Sequence, residues 1–188
     1  MKGLVHKLGR LALVAVLAIV PARASAAPDE YTLKAAYLYA FAKYVEWPEK
    51  AFASEAAPTV ICIVGEDPFQ VTGGNENKLE RAVRDKKVGG RPFQIVLMPT
   101  AAGAQLNRCH ILFVGRSEHA STPDLLKSLQ GQPVLTVSEQ DEFTKAGGCI
   151  AFVSTARGFT LALNVLAVER QGLGVSTELQ TVATPDNH

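Results

Sequence analysis

Hydrophobic residues follow two different patterns along this chain, a helical period in some segments and short continuous runs typical of buried strands in others. Residues 30–47 contain no Gly or Pro, carry apolar side chains every three or four positions and end at Pro48, so they predict a long first helix. Short aliphatic runs typical of buried strands occur at residues 60–64, 93–98, 109–114 and 134–137. Two more apolar runs, 148–153 and 158–163, are separated by a polar stretch and predict a hairpin with a longer loop.

Helical patterns fill the intervals between these strands. Segments with helical patterning or capping residues occur at 75–86, 121–129, 165–171 and 176–183. Asp67 followed by Pro68 predicts a further short helix. Alternating strands and helices predict an α/β fold, a single-domain sandwich with a mostly parallel central sheet flanked by helices and a C-terminal hairpin. No repeat or low-complexity linker divides the chain, so we expect one domain over residues 27–188.

The amino-terminal segment differs from the rest of the chain. Lys2, Lys7 and Arg10 precede the uninterrupted apolar run 11–20, which is followed by the small residues 24–26. This order predicts a signal peptide over residues 1–26 that is cleaved near Ala26. A membrane anchor is the alternative, but ten helical residues span only about 15 Å of a hydrocarbon core that is roughly 30 Å thick. We therefore expect an exported mature chain without membrane insertion.

Composition and charge exclude two broad classes of protein. The chain has 188 residues, of which 47% are hydrophobic, and this apolar content is too high for intrinsic disorder. Nineteen Lys and Arg residues stand against 18 Asp and Glu residues, which gives no general basic excess for nucleic-acid binding. Residues 1–26 hold four of the basic residues and no carboxylate, so the mature chain has 19 − 4 = 15 basic and 18 acidic residues, a net charge of about −3.

Export places the three cysteines in an oxidising compartment. Because three is odd, at most one internal disulfide forms, and the sequence alone allows three choices of pair. Cys62 and Cys109 form the favoured pair, since both lie in or at the start of short strands that can be neighbours in one sheet. The alternative is three reduced, buried thiols.

No catalytic or ligand-binding motif occurs in the chain. The glycine pairs fit neither a dinucleotide loop nor a phosphate loop, and no nucleophile-elbow sequence is present. In the predicted strand 109–114, alternation sends Cys109 and Phe113 to one face and His110 and Leu112 to the other, which argues against a Cys–His dyad or a shared metal site. We therefore expect no enzymatic activity, no metal and no cofactor, and an enzyme that uses Cys149 or His110 is the least favoured alternative.

The first helix and a series of later motifs resemble one known family. Residues 31–48, with the sequence YTLKAAYLYAFAKYVEWP, are similar to the opening helix of the YfiR family of small periplasmic proteins. Further matches follow in the same order at residues 61–65, 67–69, 90–92, 109–113, 147–150, 163–165 and 172–179. The resemblance covers nearly all of the mature chain. The first helix and the collinear order are specific together, whereas no single later motif is.

The resemblance implies a regulatory function. Proteins of this family repress a membrane-bound diguanylate cyclase by binding its periplasmic sensor domain, which lowers cyclic-di-GMP and biofilm formation. They are non-enzymatic, form dimers and respond to the redox state of their disulfides. In that pattern Cys62 and Cys109 match a long-range bridge, and Cys149 matches a cysteine whose partner belongs within residues 138–148. No cysteine is present there, so we expect Cys149 to be a free thiol.

Two segments, the predicted first helix and residues 163–179, are candidate surfaces for the receptor or for a second copy of the chain. Core packing is the alternative for each of their residues. The candidates are Tyr37, Phe41, Tyr44, Leu163, Leu166, Leu173 and Leu179. Ala162 stands where family members often carry an acidic residue, so the partner or the affinity is expected to differ. The runner-up function is a periplasmic small-molecule-binding module whose pocket is lined by the aromatic first helix.

Overall fold

The structure is a computed structural model that describes residues 29–185 except 72 and 75. The predicted signal peptide, residues 1–26, lies outside the described residues and stays a prediction. Among the residues that the structure describes, no helix has the length and apolar character needed to cross a bilayer.

Five helices form in the described chain, and polar residues fix where they begin. The helices are α1 (Glu30–Tyr44), α2 (Lys78–Val83), α3 (Thr122–Ser128), α4 (Val165–Arg170) and α5 (Thr177–Val182). Asp29, Asn77, Asn164 and Ser176 each accept a hydrogen bond from a backbone N–H in the first turn of the helix that follows them. Short 3-10 turns occur at Glu49–Ala51, Leu106–Arg108 and Arg116–Glu118.

The part of the chain that the structure describes contains ten strands in two sheets. The strands are β1 (Val45–Glu46), β2 (Thr59–Val64), β3 (Lys87–Val88), β4 (Arg91–Met98), β5 (Ile111–Val114), β6 (Leu135–Ser138), β7 (Ile150–Thr155), β8 (Gly158–Leu163), β9 (Gly174–Val175) and β10 (Thr184–Pro185). The main sheet has eight strands in the order β10-β8-β7-β6-β5-β2-β4-β3, and β1 pairs with β9 separately. Strands β4, β2, β5, β6 and β7 are mutually parallel, whereas β7 and β8 form an antiparallel hairpin. The predicted α/β sandwich is thereby confirmed.

Both faces of the main sheet are covered. One face packs against α1, α2, α4 and α5, and we call the apolar side chains there the first core cluster. The other face packs against α3 and the 3-10 turn 106–108, and its side chains form the second core cluster. Burial on both faces explains why the central strands are continuous aliphatic runs instead of alternating ones.

Three local predictions were wrong in detail. Helix α1 ends at Tyr44, because the next two residues, predicted to be helical, form β1 with Gly174–Val175 as their antiparallel partner. The predicted short helix after Asp67 is a turn, in which the Asp67 carboxylate accepts the backbone N–H of Phe69. The hairpin between β7 and β8 is tight, since pairing continues to Thr155 opposite Gly158.

Candidate functional site

A disulfide joins Cys62 to Cys109 across the second core cluster. Cys62 lies within β2, and Cys109 follows the 3-10 turn 106–108, two residues before the neighbouring strand β5 begins. Their Cα atoms are 5.8 Å apart, within the range that a disulfide requires. Both cysteines are buried, so the bond is shielded from solvent and from reductants.

The predicted alternation along residues 109–114 was wrong at its first position. β5 begins at Ile111, and Cys109 belongs to the preceding turn, so the strand pleat does not set its direction. The Cys109 side chain lies in the second core cluster with Leu112, whereas Phe113 lies in the first. This irregular entry into β5 brings Cys109 to the same face as Cys62.

Cys149 is a free thiol in the first core cluster, on the opposite face of the sheet from the disulfide. It is fully buried at the start of β7, and its backbone N–H donates to the Thr136 hydroxyl. Burial raises the pKa of the Cys149 thiol, because water no longer solvates the thiolate. A buried thiol that resists ionisation does not have the environment of a reactive cysteine.

We expect Cys149 to be inert toward thiol reagents in the folded protein. Incubation with a maleimide at pH 7 should leave the native chain unmodified, and addition of denaturant should release one reactive thiol per chain. Intact mass measured with and without urea checks this result. Rapid labelling without denaturant would contradict the buried position.

His110 is a packing residue with both ring nitrogens engaged. Its Nδ1 accepts the backbone N–H of Val60 at 3.0 Å, which leaves Nε2 as the donor to the Ala51 carbonyl at 3.1 Å. The ring stacks on Phe52 with 4.3 Å between centroids. Burial lowers the pKa of His110 and so favours the neutral ring. Both ring nitrogens of His110 are thus engaged in hydrogen bonds to the backbone, and the residue has a structural role.

A buried ionic cluster lies where β6 ends, and the sequence reasoning did not find it. Glu139 follows β6, and its carboxylate contacts Lys34 Nζ at 2.5 Å and Arg116 Nε at 3.0 Å. Tyr31 donates its hydroxyl proton to the same carboxylate, and Glu30 binds Lys34 at 2.5 Å. Lys34 and Glu139 are almost fully buried, with exposed side-chain fractions of 1% and 3%. The signal in the sequence is Lys34 itself, three residues after Tyr31 on the buried stripe of α1.

The charges in this cluster stabilise one another. Burial alone raises the pKa of Glu139, but hydrogen bonds and charge from Lys34 and Arg116 outweigh it and hold that pKa below its usual value. Burial alone lowers the pKa of Lys34, and its contacts with Glu139 and Glu30 outweigh it and raise that pKa. The cluster is therefore fully charged at neutral pH and fastens the start of α1 to the end of β6.

Comparison with known proteins gives the chain a family. The family described as YfiR/HmsC-like matches residues 31–184, which include at least part of every strand and helix described above. The chain belongs to this family. No curated protein matches the chain. The YfiR/HmsC-like family is regulatory.

Four residues expected on an interaction surface lie in the core of this YfiR/HmsC-like chain. They are Phe41, Leu163, Leu173 and Leu179, all at most 5% exposed. The α1 stripe packs on the sheet, where Phe41 stacks with Phe152, and the C-terminal leucines close the first core cluster. These side chains do not reach a partner in this conformation.

The remaining three candidates retain accessible surface. Leu166, near the start of α4, is 52% exposed, and Tyr37 and Tyr44 on α1 are half-buried. Tyr37 packs edge to face on Phe159 of β8, with centroids 5.6 Å apart. Leu33, one turn before Tyr37, is 41% exposed. We call Leu33, Tyr37 and Phe159 the α1–hairpin strip, because Leu33 and Tyr37 lie one turn apart on α1 and Phe159 of β8 packs on Tyr37.

Proposed function

We propose that this chain is a periplasmic regulatory protein that binds the periplasmic sensor domain of an inner-membrane diguanylate cyclase and represses it. Repression lowers cyclic-di-GMP and biofilm formation. The observation that carries the proposal is the match to the YfiR/HmsC-like family over nearly the whole described fold. The proposal includes export by the signal peptide 1–26 and assembly into a homodimer.

A regulator of this kind acts by binding alone. A domain that binds the inactive conformation of a receptor more tightly than the active one shifts the receptor population by the difference in affinity. A shift from mostly active to mostly inactive receptor requires an affinity ratio on the order of 10⁴. The geometry of His110 and Cys149 supports this mode of action, because both residues serve packing.

We assign the receptor contact to the α1–hairpin strip. Aromatic side chains with adjoining aliphatic ones are typical of the buried centre of protein interfaces. Leu33 is partly exposed and Tyr37 is half-buried, so both offer apolar area without unfolding of the core. Leu166 on α4 is a second candidate contact.

Deletion of the gene is expected to raise cyclic-di-GMP and biofilm formation, and the wild-type gene should restore both. The Leu33→Glu variant should fold but fail to restore them, because the new charge is desolvated in the interface. Gln130→Glu, at an exposed position just after α3 on the other side of the sheet, introduces the same single negative charge and should restore both. Unchanged cyclic-di-GMP after deletion would refute the repressor function. Full complementation by Leu33→Glu would refute only the contact surface.

A small-molecule-binding module is the second candidate function. The expected pocket behind Tyr37 and Phe41 is filled by the rings of Phe152 and Phe159. A cleft of about 540 Å³ instead lies on the other face, between residues 100–107 and α3. Its floor is apolar, and its volume is in the range of small-ligand sites. A rise in melting temperature with a periplasmic metabolite extract would support this function.

A further inference from the structure

Strand β4 has an open edge along most of its length. Its inner side pairs with β2 from Phe93 to Met98. Its outer side pairs with the two-residue strand β3, and that pairing ends at Pro92. Within the described residues, no strand pairs with residues 93–98 on the outer side. Six residues of extended backbone, about 20 Å long, are thus available for pairing.

The outward-pointing backbone groups can be assigned from the known pairs. Arg91 pairs with Val88 at the end of the β3–β4 hairpin, so its N–H and C=O point outward. Alternation then points the backbone groups of Phe93, Ile95 and Leu97 outward as well. The carbonyl of Met98 faces the inner side, where it accepts the N–H of Gly65, in agreement with this alternation.

The composition of this edge is unusual for a strand that remains unpaired. Natural edge strands are commonly protected by charged residues, by bulges or by very short length. Residues 93–98 have the sequence FQIVLM, with no charge and one polar side chain, and Leu97 is 50% exposed. Pro92 and Pro99 stand outside both ends, so they limit the pairing segment without blocking its centre.

We propose that a second copy of this chain pairs with the β4 edge, strand to strand and antiparallel, about a two-fold axis at Ile95. This register places Ile95 opposite its own copy and Phe93 opposite Leu97, so that each outward backbone group meets a partner. Strand β3 occupies the edge beside Pro92 and limits the new ladder to residues 93–97. The resulting dimer has a continuous sheet of two eight-stranded halves. This inference rests on the homodimer in the proposed function and specifies its interface.

Self-complementarity identifies the occupant as a second copy. A two-fold interface requires one patch to match itself, and the aromatic and aliphatic residues 93, 95 and 97 do so when reversed about Ile95. The nearest charged side chain on the strand is Arg91, four residues from the axis. The two Arg91 positions are then eight residues apart along the ladder, about 27 Å, which exceeds the screening length of about 8 Å. Parallel pairing would instead bring them side by side.

An Ile95→Cys variant tests this register directly. Residues opposite one another in such a pair have Cα atoms about 5.5 Å apart, which suits a disulfide. Mild oxidation should convert most of the Ile95→Cys protein into a covalent dimer that dithiothreitol reverses. Val182→Cys, at an exposed position on α5, should remain largely monomeric under the same conditions. Absence of a covalent dimer from Ile95→Cys overturns the register.

Sedimentation of the mature chain over a range of concentrations measures its monomer–dimer equilibrium, and so tests dimerisation through the β4 edge without a crosslink. Leu97→Lys should weaken dimerisation at least tenfold because it places a charge opposite Phe93, and Val182→Lys, at an exposed position of α5, should not. A wild-type chain that stays monomeric, or a dimer that tolerates Leu97→Lys, overturns the proposal. Loss of receptor binding with Leu97→Lys, without any change in self-association, would assign the edge to the receptor and also overturn it. The cyclic-di-GMP level of the deletion strain tests the repressor function separately. Failure of the dimer interface and failure of the repressor function are therefore distinguishable.

Discussion

Replacement of both Cys62 and Cys109 by alanine is expected to lower the free energy of unfolding by about 4 kcal/mol. The two cysteines are 47 residues apart in sequence, and the bond removes the closure entropy of that loop from the unfolded chain. The chain-entropy relation gives about 4 kcal/mol for a loop of this length. Urea denaturation of the oxidised wild type and of the double variant, followed by circular dichroism, measures the difference.

Cys149→Ala is the matched control for this experiment. Cys149 is as buried as Cys62 but lies outside the disulfide, so its replacement removes one sulfur without opening a loop. We expect a loss of about 1 kcal/mol, the size of a small core truncation. A loss in the double variant of only about twice the loss in Cys149→Ala would show that the bond itself contributes nothing beyond the packing of two sulfurs.

The strands at the centre of the fold could be predicted because local sequence determines them. Strands β2, β5 and β6 are covered on both faces, so nearly every side chain is apolar and the runs stand out against their polar neighbours. The starts of α4 and α5 could also be predicted from their capping residues, Asn164 and Ser176. A capping side chain accepts its hydrogen bond from the first turn of the helix that follows, so the signal is local.

Pairings between distant segments could not be predicted in the same way. The helical periodicity of the sequence continues beyond Tyr44, where α1 ends. Val45 instead pairs with Val175, which is 130 positions away. The open edge of β4 could not be predicted for the same reason. Residues 93–98 have the apolar sequence of a buried strand, and only the order of the sheet shows that one side of this strand is unpaired. Sequence periodicity reports a preference for extended structure and not the identity of the neighbour.

Of the candidate site, only the disulfide between Cys62 and Cys109 could be predicted from the sequence. Phe41 and Leu163 have the composition of interface residues and of core residues alike, and the structure places them in the core. Lys34 and Glu139 are 105 positions apart, so no local pattern indicated that they meet. Charged residues are rarely buried unless paired, which is why a lysine on an apolar stripe is the one sequence sign of this cluster.

Replacement of Glu139 by glutamine is expected to cost about 3 kcal/mol of the free energy of unfolding. The change keeps the shape of the side chain but removes the charge that neutralises Lys34, which is 1% exposed. Loss of one partner from a buried ion pair typically costs about 3 to 5 kcal/mol, because the remaining charge is left without compensation. We take the lower end, since Glu30 remains bound to Lys34. Urea denaturation at pH 7 measures this loss.

Glu76→Gln provides a matched control on the surface. Glu76 also binds two cations, Arg81 and Arg84, but these guanidinium groups are more than half exposed. Solvent screens such pairs, so we expect the control to cost much less stability than Glu139→Gln. The double variant Lys34→Met with Glu139→Gln should recover most of the lost stability, because it removes both buried charges. A double variant as unstable as Glu139→Gln alone would contradict the charge argument.

The pH dependence of the Glu139→Gln effect follows from the directions of the two pKa shifts. The pKa of Glu139 lies below its usual 4.5, so its contribution is complete above pH 4.5 and is lost as the pH falls through the folded-state pKa. The pKa of Lys34 lies above its usual 10.5, so its contribution is complete below pH 10.5 and is lost as the pH rises through the folded-state pKa. The stability difference between wild type and Glu139→Gln should therefore be constant from pH 5 to pH 10 and shrink at lower pH. A difference that persists unchanged at pH 2 would mean that Glu139 acts through its shape and hydrogen bonds, and not through its charge.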